Sequence, residues 1–455
     1  MEKQSRKQSS KHGNSANKTN SKTNSETNSG TNSKTSSVPG GDLFPESCHL
    51  IRDVPLIMTP GPTQIRENVR AARSLITTNP DLDDAFFDFY RETCDRIAFL
   101  MNTKSKVLIL SGEGMIGLEA GCVSLIEPGD HVLVLDNGIF GAWFCDMAEI
   151  FGGIPTIYQD DRERGIDQEK FRLFLEKADA DLRRETGRTF KCATVVHCDT
   201  PTGVLNDISA VCRILKDHGI LTIVDAVSSF GGVPVSDPDG KIDILIGASQ
   251  KALSAPPGLT IVAVSDDAFC AMENRKTRIA SYYADLLSWK NYYEKKWFPH
   301  TPPASDINGL RVAVENIISE NEEGGAGPSE IPACCRRHER IASAFRKAVC
   351  DAGLELFLKS NWSNTVTVIR IPENIPSLTS EKLLSMMREK YNIMIAGCFG
   401  DLEGKVIRVG HMGENADERD VSLTLKALAG CLKELGFDLK ADPAEVFEEE
   451  LRKNP

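Results

Sequence analysis

The chain has 455 residues, of which 41% are hydrophobic and 26% are charged, and its formal net charge is −12. This composition fits a soluble globular protein with two domains and an appendage, and the acidic balance argues against a nucleic-acid-binding protein, because it would repel phosphate backbones. The sequence contains no run of 18 or more apolar residues, so it predicts no membrane-spanning helix.

The chain begins with a polar segment, residues 1–41, made largely of Ser, Asn, Thr, Lys and Gly. This segment has seven Lys/Arg and two acidic residues, so its net charge of +5 leaves the rest of the chain at −17. It cannot bury enough apolar surface to offset the entropy lost on ordering, and we expect residues 1–48 to form a disordered low-complexity tail. It has neither the apolar region of a secretory signal nor the Arg-rich amphipathic pattern of a mitochondrial presequence, which favours a cytoplasmic location.

Residues 49–320 alternate short apolar runs with helical patterns such as Gly114–Ile126 and Ile208–His218. The runs are rich in Val, Ile and Leu without strict alternation, which is typical of strands buried on both faces. Strand–helix alternation of this kind predicts a doubly wound, mostly parallel sheet of seven strands. The predicted strands are Val107–Leu110, His131–Asp136, Ile154–Tyr158, Cys192–His197, Leu221–Val227, Asp243–Ile246 and Leu259–Val264.

Residues 321–455 have a different pattern, which predicts a smaller α+β domain. A Glu/Gly-rich segment, Asn321–Pro328, separates this domain from the first. Helical patterns and two apolar runs follow it. The predicted helices are Arg336–Cys350, Glu381–Lys390 and Asp417–Leu435, and the predicted strands are Thr365–Ile369 and Val406–Val409.

The thirteen cysteines are scattered along the chain. They form no CxxC pair, and no Cys/His cluster has the spacing of a zinc site. We therefore expect reduced thiols and no metal site, which agrees with a cytoplasmic location.

A glycine-rich turn, Gly112–Gly117, lies between a predicted strand and a predicted helix and satisfies the pattern GxGxxG. Small residues allow backbone amides to approach a phosphate, and the helix N-terminus provides free N–H donors. Asp136 lies about 20 residues further on, where a dinucleotide-binding fold has its ribose-binding acid. The turn therefore has three interpretations: a NAD-dependent dehydrogenase, a turn that binds another phosphorylated cofactor, and a tight turn without a ligand.

Three charged residues occur within or directly after apolar runs. Asp225 lies in the otherwise apolar run Leu221–Val227, where a buried carboxylate needs a positive partner such as a protonated pyridine nitrogen. Lys251 follows another predicted strand, and burial there would favour the free amine that attacks an aldehyde. Arg408 lies inside a predicted strand, and its planar guanidinium suits a substrate carboxylate, although a structural ion pair would explain it equally well.

The order and spacing of these features resemble those of fold-type I enzymes that use pyridoxal 5′-phosphate (PLP): a phosphate turn, an Asp, a Lys about 26 residues later and an Arg near the end. From about Pro55 to Leu435 the chain resembles class V aminotransferases, especially the alanine–glyoxylate and serine–pyruvate group. The resembling segments are MTPGPT (58–63), LSGEGMIGLEA (110–120), EPGDHVLVLDNGIFG (127–141), HCDTPTGVLNDI (197–208), IVDAVSSFGG (223–232), GASQKALSAPPG (247–258), FPHTPP (298–303) and VIRVGHMG (406–413).

The resemblance implies a role for several residues around the cofactor ring. In such enzymes the Lys of the SQKAL-type segment holds PLP as a Schiff base and shuttles the substrate proton, which implies both roles for Lys251. The resemblance also implies that Asp225 pairs with the pyridine nitrogen, that Val227 packs on one ring face and that Phe140 stacks on the other.

The resemblance further implies the residues that contact the phosphate. These are the backbone amides of Glu113, Gly114 and Met115, together with Gln250. Thr301, with His300 beside it, is expected to reach the phosphate from the second subunit of a homodimer. The segment differs from the family pattern, because Glu113 and Met115 stand where Ser and His are frequent. A Glu side chain beside a phosphate is unfavourable, so we expect Glu113 to turn its side chain away and to use only its N–H.

The remaining implied contacts concern the substrates, a small amino acid and a 2-oxo acid. Arg408 is expected to bind the substrate carboxylate, and Pro60 and Gly61 are expected to line the pocket. Thr202 is expected to lie near the phenolic oxygen of the cofactor or near the substrate. Pro201 stands where a hydroxyl residue is frequent, which leaves the substrate preference open.

The resemblance implies transfer of an amino group from alanine or serine to an acceptor such as glyoxylate or pyruvate. Within the same superfamily, 2-aminoethylphosphonate and ureidoglycine transaminases remain alternatives. A cysteine desulfurase-like lyase would use Cys398, which lies in a Gly-flanked loop. A non-catalytic binding protein that works through its basic tail is an alternative of a different class.

Overall fold

The computed structural model describes residues 54–235, 237, 239–325 and 331–454. The tail predicted for residues 1–48 lies outside these residues. The strands are β1 (Leu56–Ile57), β2 (Lys106–Ser111), β3 (His131–Asp136), β4 (Ile154–Gln159), β5 (Phe190–Val196), β6 (Cys198–Asp199), β7 (Val204–Leu205), β8 (Leu221–Asp225), β9 (Ile244–Ala248), β10 (Leu259–Val264), β11 (Val366–Arg370), β12 (Ile393–Met394) and β13 (Val406–Gly410).

Helices cover the sheet and form much of the C-terminal part. They are α1 (Glu67–Arg73), α2 (Asp84–Leu100), α3 (Gly114–Leu125), α4 (Ile139–Ile150), α5 (Gln168–Thr186), α6 (Ile208–Asp217), α7 (Asp266–Glu273), α8 (Ala304–Glu323), α9 (Ala333–Asp351), α10 (Ser380–Tyr391), α11 (Glu418–Glu434) and α12 (Pro443–Lys453). Many of them begin at an Asp, Ser or Thr whose side chain accepts a hydrogen bond from an N–H of the first turn, as Asp207 does for α6. Such capping satisfies backbone donors that have no partner within the helix.

The central sheet has seven strands in the order β2-β10-β9-β8-β5-β3-β4. Only β10 runs antiparallel to its neighbours, and the other four pairings are parallel. The prediction of an α/β fold with a mostly parallel seven-stranded sheet is confirmed. Every residue of β9 and β10 is buried, which agrees with their uninterrupted apolar sequences.

The C-terminal part has its own hydrophobic cluster, built from helices α9–α12 and from β11 and β13. Met58 belongs to this cluster, and β1 pairs in parallel with β12. The first described strand therefore joins the C-terminal part, although it falls in the segment assigned to the large domain (49–320). The boundary at 320–321 falls in the last turn of α8, and the two-domain division stays a prediction.

Parallel strands end at one edge of a sheet, and this edge positions the predicted site. β2, β3, β5, β8 and β9 all point the same way. The loops at their carboxyl ends therefore lie side by side, where open α/β sheets bind ligands. These loops contain Gly112–Gly114, Gly138–Phe140, His197–Thr202, Asp225–Val227 and Ser249–Lys251.

Two further features of the described residues bear on the expected classes. None of their helices is long and apolar enough to cross a membrane. Within the same ranges, no group of three or more His, Cys, Asp or Glu side chains is arranged to hold a metal ion.

Candidate active site

Asp225 is the last residue of β8, and its side chain is buried with 4% of its surface exposed. Its Oδ1 accepts a hydrogen bond from the Val227 N–H at 2.8 Å, the one hydrogen bond that its carboxylate receives from residues the structure describes. Burial raises the pKa of Asp225 to about 7, and the hydrogen bond from Val227 opposes this rise. A buried carboxylate with a free oxygen is suited to a positively charged partner.

Lys251 follows β9 in the loop Ser249–Lys251, and its Nζ donates to the carbonyl oxygen of Pro60 at 2.8 Å. Burial, followed by the positive charge of Arg408, lowers the pKa of Lys251 to about 8, while Asp225 opposes the shift. A larger fraction of the amine is therefore uncharged near neutral pH than for an exposed lysine. This environment fits a lysine that reacts with an aldehyde.

The Lys251 side chain lies against the segment 59–63. A Cβ placed on Gly61 would approach the Cδ of Lys251 to 2.4 Å, and Gly61 has a φ of +92°. Only glycine combines this conformation with this approach. Thr63 ties the same segment to the lysine loop, because its N–H donates to the Gln250 carbonyl at 3.1 Å and its hydroxyl to the Lys251 carbonyl at 3.0 Å.

Asp199 organises two of the predicted site residues, although it was not singled out from the sequence. This fully buried carboxylate accepts the Phe140 N–H at 2.8 Å through Oδ1. Its Oδ2 accepts the Thr202 hydroxyl at 2.8 Å and the Thr202 N–H at 3.2 Å. A Cβ on Gly138 would lie 2.3 Å from the Asp199 Cγ, so the carboxylate requires glycine there.

The predicted ring-stacking residue, Phe140, is half-buried at the start of α4. Its ring meets Trp143 edge-on, with centroids 5.0 Å apart, and lies 6.2 Å from the ring of Phe399. Thr202 is buried, and its hydroxyl donates to Asp199. In this structure Thr202 therefore supports Asp199, whereas the sequence analysis assigns it a ligand contact.

Glu113 is the N-cap of α3, and its side chain does not turn away as the sequence analysis expects. Its Oε1 accepts the Met115 N–H at 3.2 Å, and its Oε2 accepts the Gln250 side-chain amide at 3.3 Å. The carboxylate thus caps the helix whose first amides were predicted to bind phosphate. The physical reason is that the free amides of a helix start attract the nearest carboxylate.

Arg408 lies in β13 and is half-buried. Its Nε donates to the Gly397 carbonyl at 2.6 Å, and its Cζ lies 5.6 Å from the centroid of the Phe399 ring. Across the described part of the chain, no Asp or Glu oxygen lies within 4.0 Å of its guanidinium nitrogens, which disfavours the structural ion pair considered above. Burial lowers the pKa of Arg408.

Thr301 is exposed, and its hydroxyl donates to Asp81 Oδ2 at 2.7 Å. The neighbouring His300 stacks on Tyr283 with centroids 4.1 Å apart. Cys398, the residue that a desulfurase-like lyase would use, has a pKa raised by burial, and its Sγ donates to the Pro201 carbonyl at 3.7 Å. A raised pKa disfavours the reactive thiolate.

The family model for class V aminotransferases matches residues 68–323, more than half of the chain. An uncharacterized aminotransferase of Methanocaldococcus jannaschii is 33% identical, and the match covers 88% of this chain and 98% of that protein. A pyridoxamine–pyruvate transaminase of Mesorhizobium japonicum is also 33% identical over 79% of this chain and 87% of that protein. The crystal structure of a Bacillus subtilis ureidoglycine–glyoxylate aminotransferase superposes with a TM-score of 0.80 at 27% identity, over 89% of this chain and 99% of that one.

The chain belongs to the class V aminotransferases. Among its relatives are also proteins named serine–glyoxylate aminotransferase, from Methylorubrum extorquens, and alanine–glyoxylate aminotransferase, from Rattus norvegicus. It is therefore a transaminase, and the cofactor of this fold-type I family is pyridoxal 5′-phosphate. The dehydrogenase and the non-catalytic binding protein are excluded as the principal function.

The residues present fit the pyridine ring of this cofactor. Asp225 is a buried residue whose carboxylate keeps one oxygen without a hydrogen bond from the described residues, which suits a protonated ring nitrogen. Lys251 provides an amine with a lowered pKa. Gln250 is buried and its Oε1 has no hydrogen-bond partner, so this end of the site offers a free acceptor to a ligand.

Proposed function

We propose that the chain transfers an amino group from a small amino acid, alanine or serine, to a 2-oxo acid such as glyoxylate or pyruvate. The observation that carries this proposal is the guanidinium of Arg408. It is half-buried, and the part of the chain that the structure describes gives it no ion pair. A desolvated cation of this kind favours an anionic ligand, and its planar fork matches a carboxylate. The names of the serine–glyoxylate and alanine–glyoxylate relatives support the choice of substrates.

PLP, when bound, supplies the electron-withdrawing ring that stabilises negative charge on the substrate α-carbon. Lys251 is proposed to hold the cofactor and to move the proton of that carbon, first as a base and then as an acid. Asp225 is proposed to keep the ring nitrogen charged, while Val227 and Phe140 hold the ring between them. Arg408 is proposed to orient the carboxylate beside Gly61, which fixes the Cα–H bond for proton transfer.

A steady-state assay with purified full-length protein tests the substrates. Alanine, serine, aspartate, glutamate and 2-aminoethylphosphonate are each paired with glyoxylate and with pyruvate. We expect alanine or serine to give the highest kcat/KM, and Arg408→Gln to raise the KM for carboxylate-bearing substrates more than Arg408→Lys does. A preference for 2-aminoethylphosphonate would refute the proposed donors, and equal KM values in the two variants would refute the role of Arg408.

We further propose a homodimer in which Thr301 contributes to the site of the partner subunit. Thr301 is exposed, and large apolar side chains near it in sequence are also exposed, including Tyr282 at 79% and Trp297 at 55%. Such exposure suits burial against a second copy. Mixing Lys251→Ala with Thr301→Ala protomers tests the idea, because a shared site predicts one fully intact site in each mixed dimer. Absence of any recovery of activity would place Thr301 outside the partner's site.

A cytoplasmic location is also proposed. Its support is that all the described cysteines are free thiols, which is typical of a reducing compartment. Cell fractionation with an antibody against the full chain tests it, and recovery in an organelle fraction would refute it.

A further inference from the structure

The start of α3, which the sequence analysis expects to contact the cofactor phosphate, contains a carboxylate. α3 has twelve residues and begins at Gly114, and Glu113 caps it. The Glu113 carboxylate accepts the Met115 N–H, one of the amides that were expected to contact a phosphate. Its other oxygen accepts from the Gln250 side chain. The Glu113 carboxylate therefore occupies the position at the helix start where an anionic ligand would bind.

The neighbouring residues do not neutralise this carboxylate. In the described ranges, no Lys, Arg or His nitrogen lies within 4.0 Å of the Glu113 oxygens. The negative charge of Glu113 adds to the rise in pKa that burial causes at Asp225, and it opposes the lowering of pKa that burial causes at Lys251. Glu113 is thus close enough to the two central groups of the site to act on any ligand bound between them.

The side chains at the start of α3 present hydrogen-bond acceptors, so they favour a ligand group that donates a hydrogen bond. Glu113 offers carboxylate oxygens, and the buried Gln250 offers an Oε1 that has no partner. A hydroxyl group can donate a proton to either acceptor. A phosphate dianion has no proton to donate and would face a like charge, which is unfavourable.

We propose that Glu113 sets the ligand selectivity of this site, so that the chain binds pyridoxal or pyridoxamine, which lack the phosphate, at least as tightly as PLP. The chain then uses pyridoxamine as an exchangeable amino donor. PLP remains a ligand whose affinity Glu113 lowers. This inference rests on the proposed roles of Lys251 and Asp225, which hold the part of the ring that all these compounds share.

The overall transfer from pyridoxamine is balanced without an external oxidant. The aminomethyl carbon of pyridoxamine loses its C–N bond, is oxidised by two electrons and leaves as the aldehyde of pyridoxal. The keto carbon of the 2-oxo acid is reduced by the same two electrons, gains the C–N bond and loses its oxygen as water. One water molecule supplies the oxygen of the new aldehyde, so water is neither consumed nor produced overall. Lys251, placed by Pro60, is the residue that carries the proton between the two carbons.

Titration of the apo full-length protein with pyridoxal and with PLP, followed by visible absorbance, tests the selectivity. Glu113→Ser retains a helix-capping hydroxyl and Glu113→Gln retains the size, and both remove the charge. In the wild type we expect Kd for PLP to equal or exceed Kd for pyridoxal. In both variants we expect the ratio of Kd for PLP to Kd for pyridoxal to fall at least about tenfold, because the negative charge that repels the phosphate is gone.

Glu119→Ser is the matched control, since Glu119 is an exposed residue of the same helix. It should leave both constants unchanged. A wild-type protein that binds PLP more tightly than pyridoxal, or a ratio that Glu113→Ser and Glu113→Gln leave unchanged, would overturn the proposal. If neither pyridoxal nor PLP bound to the wild type or to any variant, the proposed roles of Lys251 and Asp225 would be refuted instead. A lack of transfer from pyridoxamine to pyruvate or glyoxylate would overturn the donor role alone.

Discussion

The ε-amino group of Lys251 donates a hydrogen bond to the carbonyl oxygen of Pro60 at 2.8 Å, across 191 positions of sequence. The contact holds the amine on a segment that also pairs with the C-terminal part, since the Gly410 N–H donates to the Met58 carbonyl at 2.8 Å. Lys251, the lysine proposed to react with the cofactor, is thus positioned by both parts of the fold.

Gly61→Ala should impair this arrangement. The new Cβ would lie 2.4 Å from the Lys251 Cδ, and the backbone φ of +92° is strained for alanine. We expect kcat/KM to fall by about 10²-fold, as small displacements of catalytic groups can cause. Gly219→Ala is the matched control, because Gly219 has a φ of +71° and open space around its Cβ position. Equal losses in the two variants would show that the backbone strain, and not the lysine contact, matters.

The pKa of Lys251 predicts how cofactor uptake depends on pH. Because the amine reacts in its uncharged form, the uptake rate should rise as pH increases through about 8. The positive charge of Arg408 contributes to this lowered pKa. Arg408→Gln should therefore move the midpoint to higher pH, while Arg408→Lys, which retains the charge, should move it less. Stopped-flow absorbance of PLP uptake measures both midpoints, and identical midpoints would contradict the electrostatic account.

Asp225→Asn should separate stability from activity. Burial raises the pKa of Asp225, because the charged carboxylate is desolvated. The neutral amide of Asn can still accept the Val227 N–H, so we expect the melting temperature of the apo protein to be equal or higher. Turnover should fall by about 10²-fold or more, as when a charge that stabilises the transition state is removed. Calorimetry and a transfer assay test the pair of outcomes, and a clear loss of stability with full turnover would refute the assignment.

Asp199 should matter for stability. Asp199→Ala would leave the Phe140 N–H and the Thr202 N–H without their acceptor inside the protein. The Thr202 hydroxyl would lose its 2.8 Å partner and keep only the backbone carbonyl of residue 199 at 3.4 Å. We expect a loss of about 3 kcal/mol in the free energy of unfolding, with a smaller loss for Asp199→Asn, which retains one acceptor. Urea denaturation followed by circular dichroism measures both. An unchanged midpoint for Asp199→Ala would show that water or a rearranged loop replaces the carboxylate.

Much of the fold follows from the hydrophobic pattern. β3 and β10 have the predicted bounds, because strands buried on both faces have apolar sequences that end abruptly at polar residues. β1 was missed because Leu56–Ile57 is too short to show a period, and its pairing with β12 depends on residues more than 300 positions away. Pattern recognition works where many neighbouring residues share one environment.

The sequence singles out candidate site residues where a charged residue lies within or directly after an apolar run. Asp225, Lys251 and Arg408 stand out for this reason, and the structure buries or half-buries each of them. Asp199 was missed because it lies in a turn of small polar residues, where an Asp is common without any function. The orientation of Glu113 was predicted incorrectly because helix capping is a local interaction that family resemblance does not reveal.

The most direct test of the central claim is the visible absorbance of the purified protein loaded with PLP, recorded before and after alanine or serine is added without an acceptor. We predict an absorbance band of the bound cofactor that one of these donors converts to that of the aminated form, and that Lys251→Ala loses this conversion. A protein that takes up no PLP or pyridoxal, or whose conversion survives in Lys251→Ala, would contradict the account.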